Sequence, residues 1–364
     1  MSRLDKKLYI VDAIGIHCGM NYYAESFVSI IKENGLDCKI LSNYSTCGAP
    51  YFNNFYSGST LKKVAKLIVG CIKLFLKTLF DRKSVYIFFS YGNLIDFLLL
   101  FSTLFVNNRI IDVHEVIAQG FEKNKLYRKL FTSIYRHTSH VIIHSKRSEV
   151  ILSEIGYKGN FLFVPHFAYQ TTEEYDIALV DNDVRNLIKD KINILWFGNI
   201  TYSKGIDIYI SNILSLSKNI KEKINVVVAG RSLDGVFEKC DTSDSVFSVV
   251  LRRLNDDEMT YLYTSCDYVI LPYRQTSQSG VLEMAFHYMK PVIVSKIPYF
   301  EMMLNKYPSF GIVTDISQEE FSRTIEDVAL NKRKFYTEED IYRYSHRKEI
   351  QDFGVNLKKL IDTL

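Results

Sequence analysis

The residues best placed to do chemistry lie in one stretch. Leu271-Pro-Tyr-Arg-Gln-Thr-Ser-Gln-Ser-Gly-Val-Leu-Glu283 has the pattern of a buried strand, a polar loop and a helix start, and a second apolar strand follows to Val294. The first free N–H groups of such a helix, from about Ser279 through Gly280 and Val281 to Leu282, point over the loop, where the helix dipole favours an anion. Gly280 lets a ligand approach the backbone. Glu283 sits one turn inside, suited to accept hydrogen bonds from a diol rather than to meet a phosphate. An ordinary βα turn has the same pattern, so other residues must decide. Gly198-Asn-Ile-Thr-Tyr-Ser-Lys204-Gly205 follows another apolar strand and opens a helix. Arg231 stands at the end of the next strand, and Arg252 and Arg253 follow the one after. In a parallel sheet these loops share one edge, where cations and a helix N-terminus meet around one diphosphate. Which of the three arginines takes part stays open.

Other residues carry less. His114, in Asp112-Val-His114-Glu115, ends an apolar strand at the position where open α/β sheets bind ligands, although a hydrogen-bonded structural histidine fits equally. The loop Gly15-Ile-His-Cys-Gly19 follows the first strand and faces a ligand or forms a plain turn. It is not G-x-G-x-x-G, so a dinucleotide fingerprint is absent. Asp181-Asn-Asp183 imitates a metal-binding acidic pair but falls in a polar connecting stretch. No metal site and no cofactor are expected.

The elements around these residues alternate strand and helix. Apolar runs at Leu8–Ala13, Cys38–Ser42, Val85–Ser90, Arg109–Val113, His140–Ser145 and Phe161–Pro165 mark a first parallel set, with helices between them. From Gln170 to Lys191 the composition turns polar and acidic, as in a linker with a short helix. A second set begins at Ile192 and ends in helices over Gln318–Asn331 and Glu338–Leu364. A length of 364 residues suits two such α/β domains better than one core. The helix over 93–106 is apolar enough to be expected buried. Leu61–Phe80 carries Lys62, Lys63, Lys66, Lys73 and Lys77 among Val, Leu, Ile and Phe. As a helix it suits an anionic membrane surface, or simply a solvated face.

Composition excludes several classes. A net charge of +4 and the lack of an aromatic-basic module argue against nucleic acid. Cys18, Cys38, Cys47, Cys71, Cys240 and Cys266 are scattered without a C-x-x-C pair, as expected of reduced thiols. The N-terminus runs directly into a strand, and no uncharged apolar run reaches the roughly 20 residues of a membrane span. A soluble cytoplasmic protein is expected, with peripheral contact at an inner membrane face if the 61–80 helix binds lipid.

Gly198…Lys204-Gly205-Ile-Asp, Ala229-Gly230, Cys266-Asp267-Tyr-Val-Ile-Leu-Pro-Tyr273, Ser279-Gly-Val-Leu-Glu283-Met-Ala and Lys290-Pro-Val-Ile together resemble the nucleotide-sugar domain of glycosyltransferase family 4. The resemblance covers about residues 190–300; the first half is similar only in general plan. It implies a GT-B fold: two Rossmann-like domains facing a cleft, with the last helix crossing back to the first. The implied division is an acceptor-side domain over 1–170, a linker over 171–191, a donor domain over 192–335 and the crossing helix over 336–364. It also implies retaining transfer from a nucleoside-diphosphate sugar to a glycan or lipid-linked acceptor, in surface polysaccharide or glycolipid synthesis. His114, Lys204 and Glu283 would be catalytic. Gly198, Lys204, Arg231, Gln275, Ser279, Gly280, Val281, Leu282 and Glu283 would bind the donor, and Gly15 and Gly19 would face it from the first domain. Lys204 would neutralise the diphosphate, and Glu283 would take the ribose hydroxyls.

Two positions depart from the family pattern. Gln275 stands eight residues before Glu283, where a Glu is usual, and the usual Arg ahead of the Lys-Gly pair is replaced around Asn199 and Ile200. Gln bonds a sugar hydroxyl but carries no charge. A degenerate binding subunit and a sugar-nucleotide epimerase are therefore the competing readings.

Overall fold

The computed structural model describes residues 6–14, 20–44, 50–118, 121, 124–164, 166, 174–276, 278–330 and 339–364, with side chains in the last segment described from 347 onward. The chain divides into two compact units, Met1–Phe167 with Ser345–Leu364, and Ala168–Tyr344.

In the first unit β1 (Leu8–Asp12), β2 (Cys38–Ser42), β3 (Val85–Ser90), β4 (Arg109–Val113), β5 (His140–Ile143) and β6 (Asn160–Phe163) form a parallel sheet in the order β2-β1-β3-β4-β5-β6. The connecting helices are α1 (Met20–Glu33), α2 (Thr60–Phe80), α3 (Leu94–Ser102), α4 (Lys125–Arg136) and α5 (Lys146–Glu154). β1, β3 and β4 are buried along their whole length, which is why they read as continuous apolar runs. Arg109 and Asp112 are the exceptions in β4, and Arg109 is held by helix ends. Its guanidinium donates to the carbonyls of Leu100, Thr103 and His137 and to Thr138 Oγ1, at 2.8–3.2 Å. It thus satisfies the last carbonyls of α3 and α4, where helix dipoles favour a cation. Burial pushes its pKa down to about 10.

One helix of this unit differs from expectation. α3 buries Asp96, Phe97, Leu99 and Leu100, but Leu94 and Phe101 are about half exposed. A nine-residue helix touches the sheet along one stripe, so its apolar excess faces outward. α2 behaves alike: Gly70, Leu74 and Thr78 are buried, while Leu61 and Phe80 are more than 80% exposed.

The second unit has β7 (Ile192–Ile200), β8 (Ile224–Ser232), β9 (Phe247–Val250), β10 (Tyr268–Leu271), β11 (Val292–Ser295) and β12 (Gly311–Thr314), again parallel, in the order β12-β11-β10-β7-β8-β9. Its helices are α6 (Asn182–Arg185), α7 (Ile206–Leu214), α8 (Lys218–Lys221), α9 (Asp256–Ser265), α10 (Gly280–His287), α11 (Pro298–Lys306) and α12 (Gln318–Ala329). Alternate residues feed two cores: Leu195, Val227, Leu271 and Val294 on one face, Ile194, Trp196, Val228 and Ile293 on the other. Strand order reverses between β7 and β10, so the crevice beyond their carboxyl ends is the topological switch point.

The polar stretch expected as a linker is partly a packed strap. Val180, Val184 and Leu187 are buried in the core of the second unit. Their three-to-four-residue spacing puts them on one side, and the polar residues between them made the segment look solvated. The last helix, α13 (Glu339–Thr363), contributes residues from 345 onward to the first unit. There Phe353 meets Phe27 edge-on at 5.8 Å, and Lys358 Nζ donates to the Asn34 carbonyl at 2.7 Å.

Candidate functional site

The switch point of the second unit holds most of the expected donor residues. β7 continues to Ile200, so Gly198 lies in a strand rather than in the loop expected from sequence. Gly198 pairs with Gly230 of β8, and both have positive φ, +115° and +154°. A side chain at Gly230 would run into the Gly198 carbonyl, so glycine is required for the two strand ends to close. Gly198 faces α10: a Cβ there would lie 3.5 Å from Val281 Cγ2.

After β7 a single 3-10 turn, Tyr202–Lys204, leads into α7 through Gly205, whose φ is +67°. Any Cβ at Gly205 would collide with the Pro272 carbonyl, so the Lys204 turn lies directly on the loop after β10. Lys204 Nζ sits 3.8 Å above the ring centroid of Tyr273, which burial keeps protonated well above its ordinary range. The turn is clamped by Arg274. Its guanidinium makes a two-pronged pair with Asp207, both contacts 2.7 Å, donates to the Tyr202 carbonyl at 2.6 Å, and stacks 3.8 Å over the Tyr202 ring. The Arg274 N–H also donates to the Ser203 carbonyl at 2.9 Å. The guanidinium bonds hold the Asp207 carboxyl below its usual range. Sequence reasoning missed Arg274, Asp207 and Tyr202; the signal available was an Arg beside the strand-end tyrosine and an Asp in the first turn of α7.

At α10, Ser279 is the N-cap: its Oγ accepts from Leu282 N–H at 3.2 Å and its carbonyl from Glu283 N–H at 3.2 Å. This narrows the expected N–H donors from the run Ser279–Leu282 to Gly280 and Val281. Glu283 is fully buried beneath them. Burial first, then the Glu283 charge, raises the hydroxyl of Tyr299 well above its ordinary range. Gln275 lies exposed on the loop, and Arg231 lies exposed beside Asn199 in the β7–β8 register.

Of the three open arginines, Arg252 is committed elsewhere. Its guanidinium donates to Asp181, Asp183 and Glu258 at 2.6–3.2 Å. The acidic pair Asp181/Asp183 therefore pins the strap to the start of α9, which explains its D-x-D spacing without a metal. Arg253 is exposed.

In the first unit His114 is buried at the carboxyl end of β4. Its ring stacks on Tyr91 at 4.9 Å and on His144 at 4.8 Å, and the edge of Tyr23 lies 4.5 Å away. Burial, then the neighbouring His144 and His166, lowers its pKa well below the ordinary value, so it is a neutral imidazole at pH 7. Gly15 and Gly19 lie outside the described residues.

Residues 181–347 match the family model described as glycosyl transferases group 1. This stretch belongs to that family. The group 1 match covers the strap, β7 to β12 and every donor residue named above. No curated protein matches the chain in sequence. Solved structures are similar over its whole length. Sucrose-phosphate synthase from Thermosynechococcus elongatus is 12% identical with a TM-score of 0.72, covering 98% of each chain. Anabaena Alr3699/HepE in complex with UDP and glucose is 13% identical with a TM-score of 0.66, covering 99% of this chain and 100% of its own. WaaG, a glycosyltransferase involved in lipopolysaccharide biosynthesis, is 14% identical with a TM-score of 0.63, covering 98% and 95%. At such identities the likeness is one of fold. The chain has the GT-B architecture, two parallel six-stranded α/β sheets.

Proposed function

We propose that the protein transfers a hexose from a nucleoside-diphosphate sugar to a glycan or lipid-linked acceptor with retention, as a family 4 transferase in surface polysaccharide or glycolipid synthesis. One observation carries the reading: the clamped Lys204 turn and the Gly280–Val281 helix start share the β7/β10 switch point. A cation and two backbone donors there suit a diphosphate, and the Glu283 carboxylate one turn below suits the ribose diol. The fold neighbour solved with UDP-glucose supports the donor class. In this mechanism the bond from the anomeric carbon to the diphosphate oxygen breaks as the acceptor oxygen bonds that carbon from the same face. The leaving diphosphate takes the acceptor proton. Stabilising that leaving group is the main electrostatic work, and no resident cofactor enters. His114 meets the sugar or the acceptor as a neutral hydrogen-bond partner.

The acceptor reading draws on α2. Leu61, Ile68, Ile72 and Phe80 of α2 and Leu94 and Phe101 of α3 are exposed, as are Lys62 and Lys63. Exposed apolar surface beside lysines suits the interface of an anionic membrane. Among the described residues no helix is long and apolar enough to cross one.

The test is turnover of UDP-, GDP- and dTDP-sugars by purified protein. Transfer or hydrolysis that Lys204→Ala and Glu283→Ala strongly weaken, with both variants folded, is expected. Wild-type turnover in both would reject the site. Donor binding without any turnover would favour the binding-subunit reading that Gln275 raises.

A further inference from the structure

Behind His114 lies a second set of buried polar groups to which the donor site gives no role. His144, at the end of the strand next to β4, is 1% exposed, and its Nδ1 lies 3.0 Å from the Val164 carbonyl. Its Nε2 lies 2.6 Å from Asp112 Oδ1. The ring is thereby tied at both nitrogens, to the Val164 carbonyl and to the Asp112 carboxyl. The other carboxylate oxygen accepts from Tyr23 of α1 at 2.8 Å. The ligand-type atoms of Asp112, His114 and His144 lie within 4.8 Å of one another. Even so, the 2.6 Å nitrogen–oxygen approach is shorter than the roughly 3.3 Å kept by two ligands of one tetrahedral zinc at bonds of about 2.0–2.1 Å. That approach is the length of a short hydrogen bond.

We propose that Asp112, His144 and Tyr23 are positioning residues that fix the His114 ring and keep it a neutral imidazole for the transfer step. The inference rests on the reading that His114 meets the sugar or acceptor. The geometry supplies both parts. His114 is sandwiched between the Tyr91 ring and the His144 ring, with Tyr23 at its edge, so its plane is set by three neighbours. Burial first, then the neighbouring His144 and His166, opposes a positive charge on His114. The Asp112 carboxylate, which would otherwise invite that charge from 3.8 Å away, is held by His144 and Tyr23. Among the described residues, His166, whose centroid is 6.1 Å away, and Glu115, next in the chain, also lie near the ring. Asp12 and Asp96 lie near Tyr91.

The test is histidine 15N NMR with steady-state kinetics on full chains carrying Asp112→Asn, His144→Gln or Tyr23→Phe. In the wild type His114 is expected singly protonated at pH 7 and above. In His144→Gln the bared Asp112 carboxylate draws a proton to His114, which then titrates between about pH 6 and 8. In that variant kcat is lost as pH falls through this value, while donor KM stays within about twofold. At pH 7.5 both His144→Gln and Asp112→Asn lower kcat about 10- to 100-fold. Tyr23→Phe, which removes a single hydroxyl and keeps the ring packing, lowers it a few-fold and guards against a variant that does not fold. Variants that lose melting temperature while His114 signals and the pH profile stay as in the wild type overturn the proposal. So do shifted His114 signals with unchanged kcat. The NMR arm needs no donor, so a wild type that turns over no nucleotide sugar refutes the transfer reading separately.

Discussion

At the scale of single residues, Lys204 and Glu283 carry the donor chemistry for opposite reasons. Lys204 is a mobile charge steadied over the neutral ring of Tyr273, an arrangement contributing about 0.5–2 kcal/mol. Glu283 is buried and rigid, able only to accept when ionised. A hydrogen bond to a charged group contributes about 1.5–3 kcal/mol, so Glu283→Ala should lower kcat/KM about 10- to 150-fold. Tyr273→Leu should raise donor KM about two- to tenfold with little change in kcat, which initial-rate measurements at several donor concentrations would check. His114, held neutral, should give the wild-type profile of kcat no histidine limb between about pH 6 and 8.

At the scale of elements, the Lys204 turn is only as rigid as its clamp. Gly205→Ala places a side chain in left-handed backbone and against the Pro272 carbonyl. A loss of at least about 1–2 kcal/mol in urea unfolding should accompany a raised donor KM. Arg274→Met keeps the fold but frees the turn, and calorimetry should show donor affinity falling about tenfold. Arg252→Met, by contrast, leaves the buried Glu258 without its cation and should cost about 1–3 kcal/mol of stability with donor affinity unchanged. The order and kind of the elements were legible because buried parallel strands read as apolar runs and α10 carries its own N-cap, Ser279. The clamp was not legible. Arg274 and Asp207 lie 67 residues apart, and their meeting depends on β7 and β10 being neighbours, which strand order decides and local sequence does not record. Likewise Arg252 passed for a phosphate ligand until Asp181, Asp183 and Glu258 were found around it. His144 and Asp112 come together only because β4 and β5 pair. The outward faces of α2 and α3 were half legible. Periodicity showed an apolar stripe on α2, but how much of it the sheet covers is a matter of packing.

At the scale of the molecule, each unit is a parallel sheet whose central strands are buried, and the chain returns to the first unit through its last helix. The exposed apolar residues of α2 and α3 give the first unit a surface whose apolar and basic parts suit a lipid interface. Co-sedimentation with anionic vesicles should therefore fall when Lys62, Lys63, Lys66, Lys73 and Lys77 become Gln, and fall further with Leu61→Ser and Phe80→Ser. The central claim, a nucleotide-sugar site at the β7/β10 switch point, has a more direct measurement: thermal unfolding with UDP-, GDP- and dTDP-sugars, comparing the wild type with Lys204→Ala. A ligand binding only the folded state at 100 times its Kd contributes about 2.7 kcal/mol. One donor class should raise the wild-type melting temperature by several degrees and leave Lys204→Ala unmoved. No shift with any donor, or the same shift in both proteins, would contradict the account.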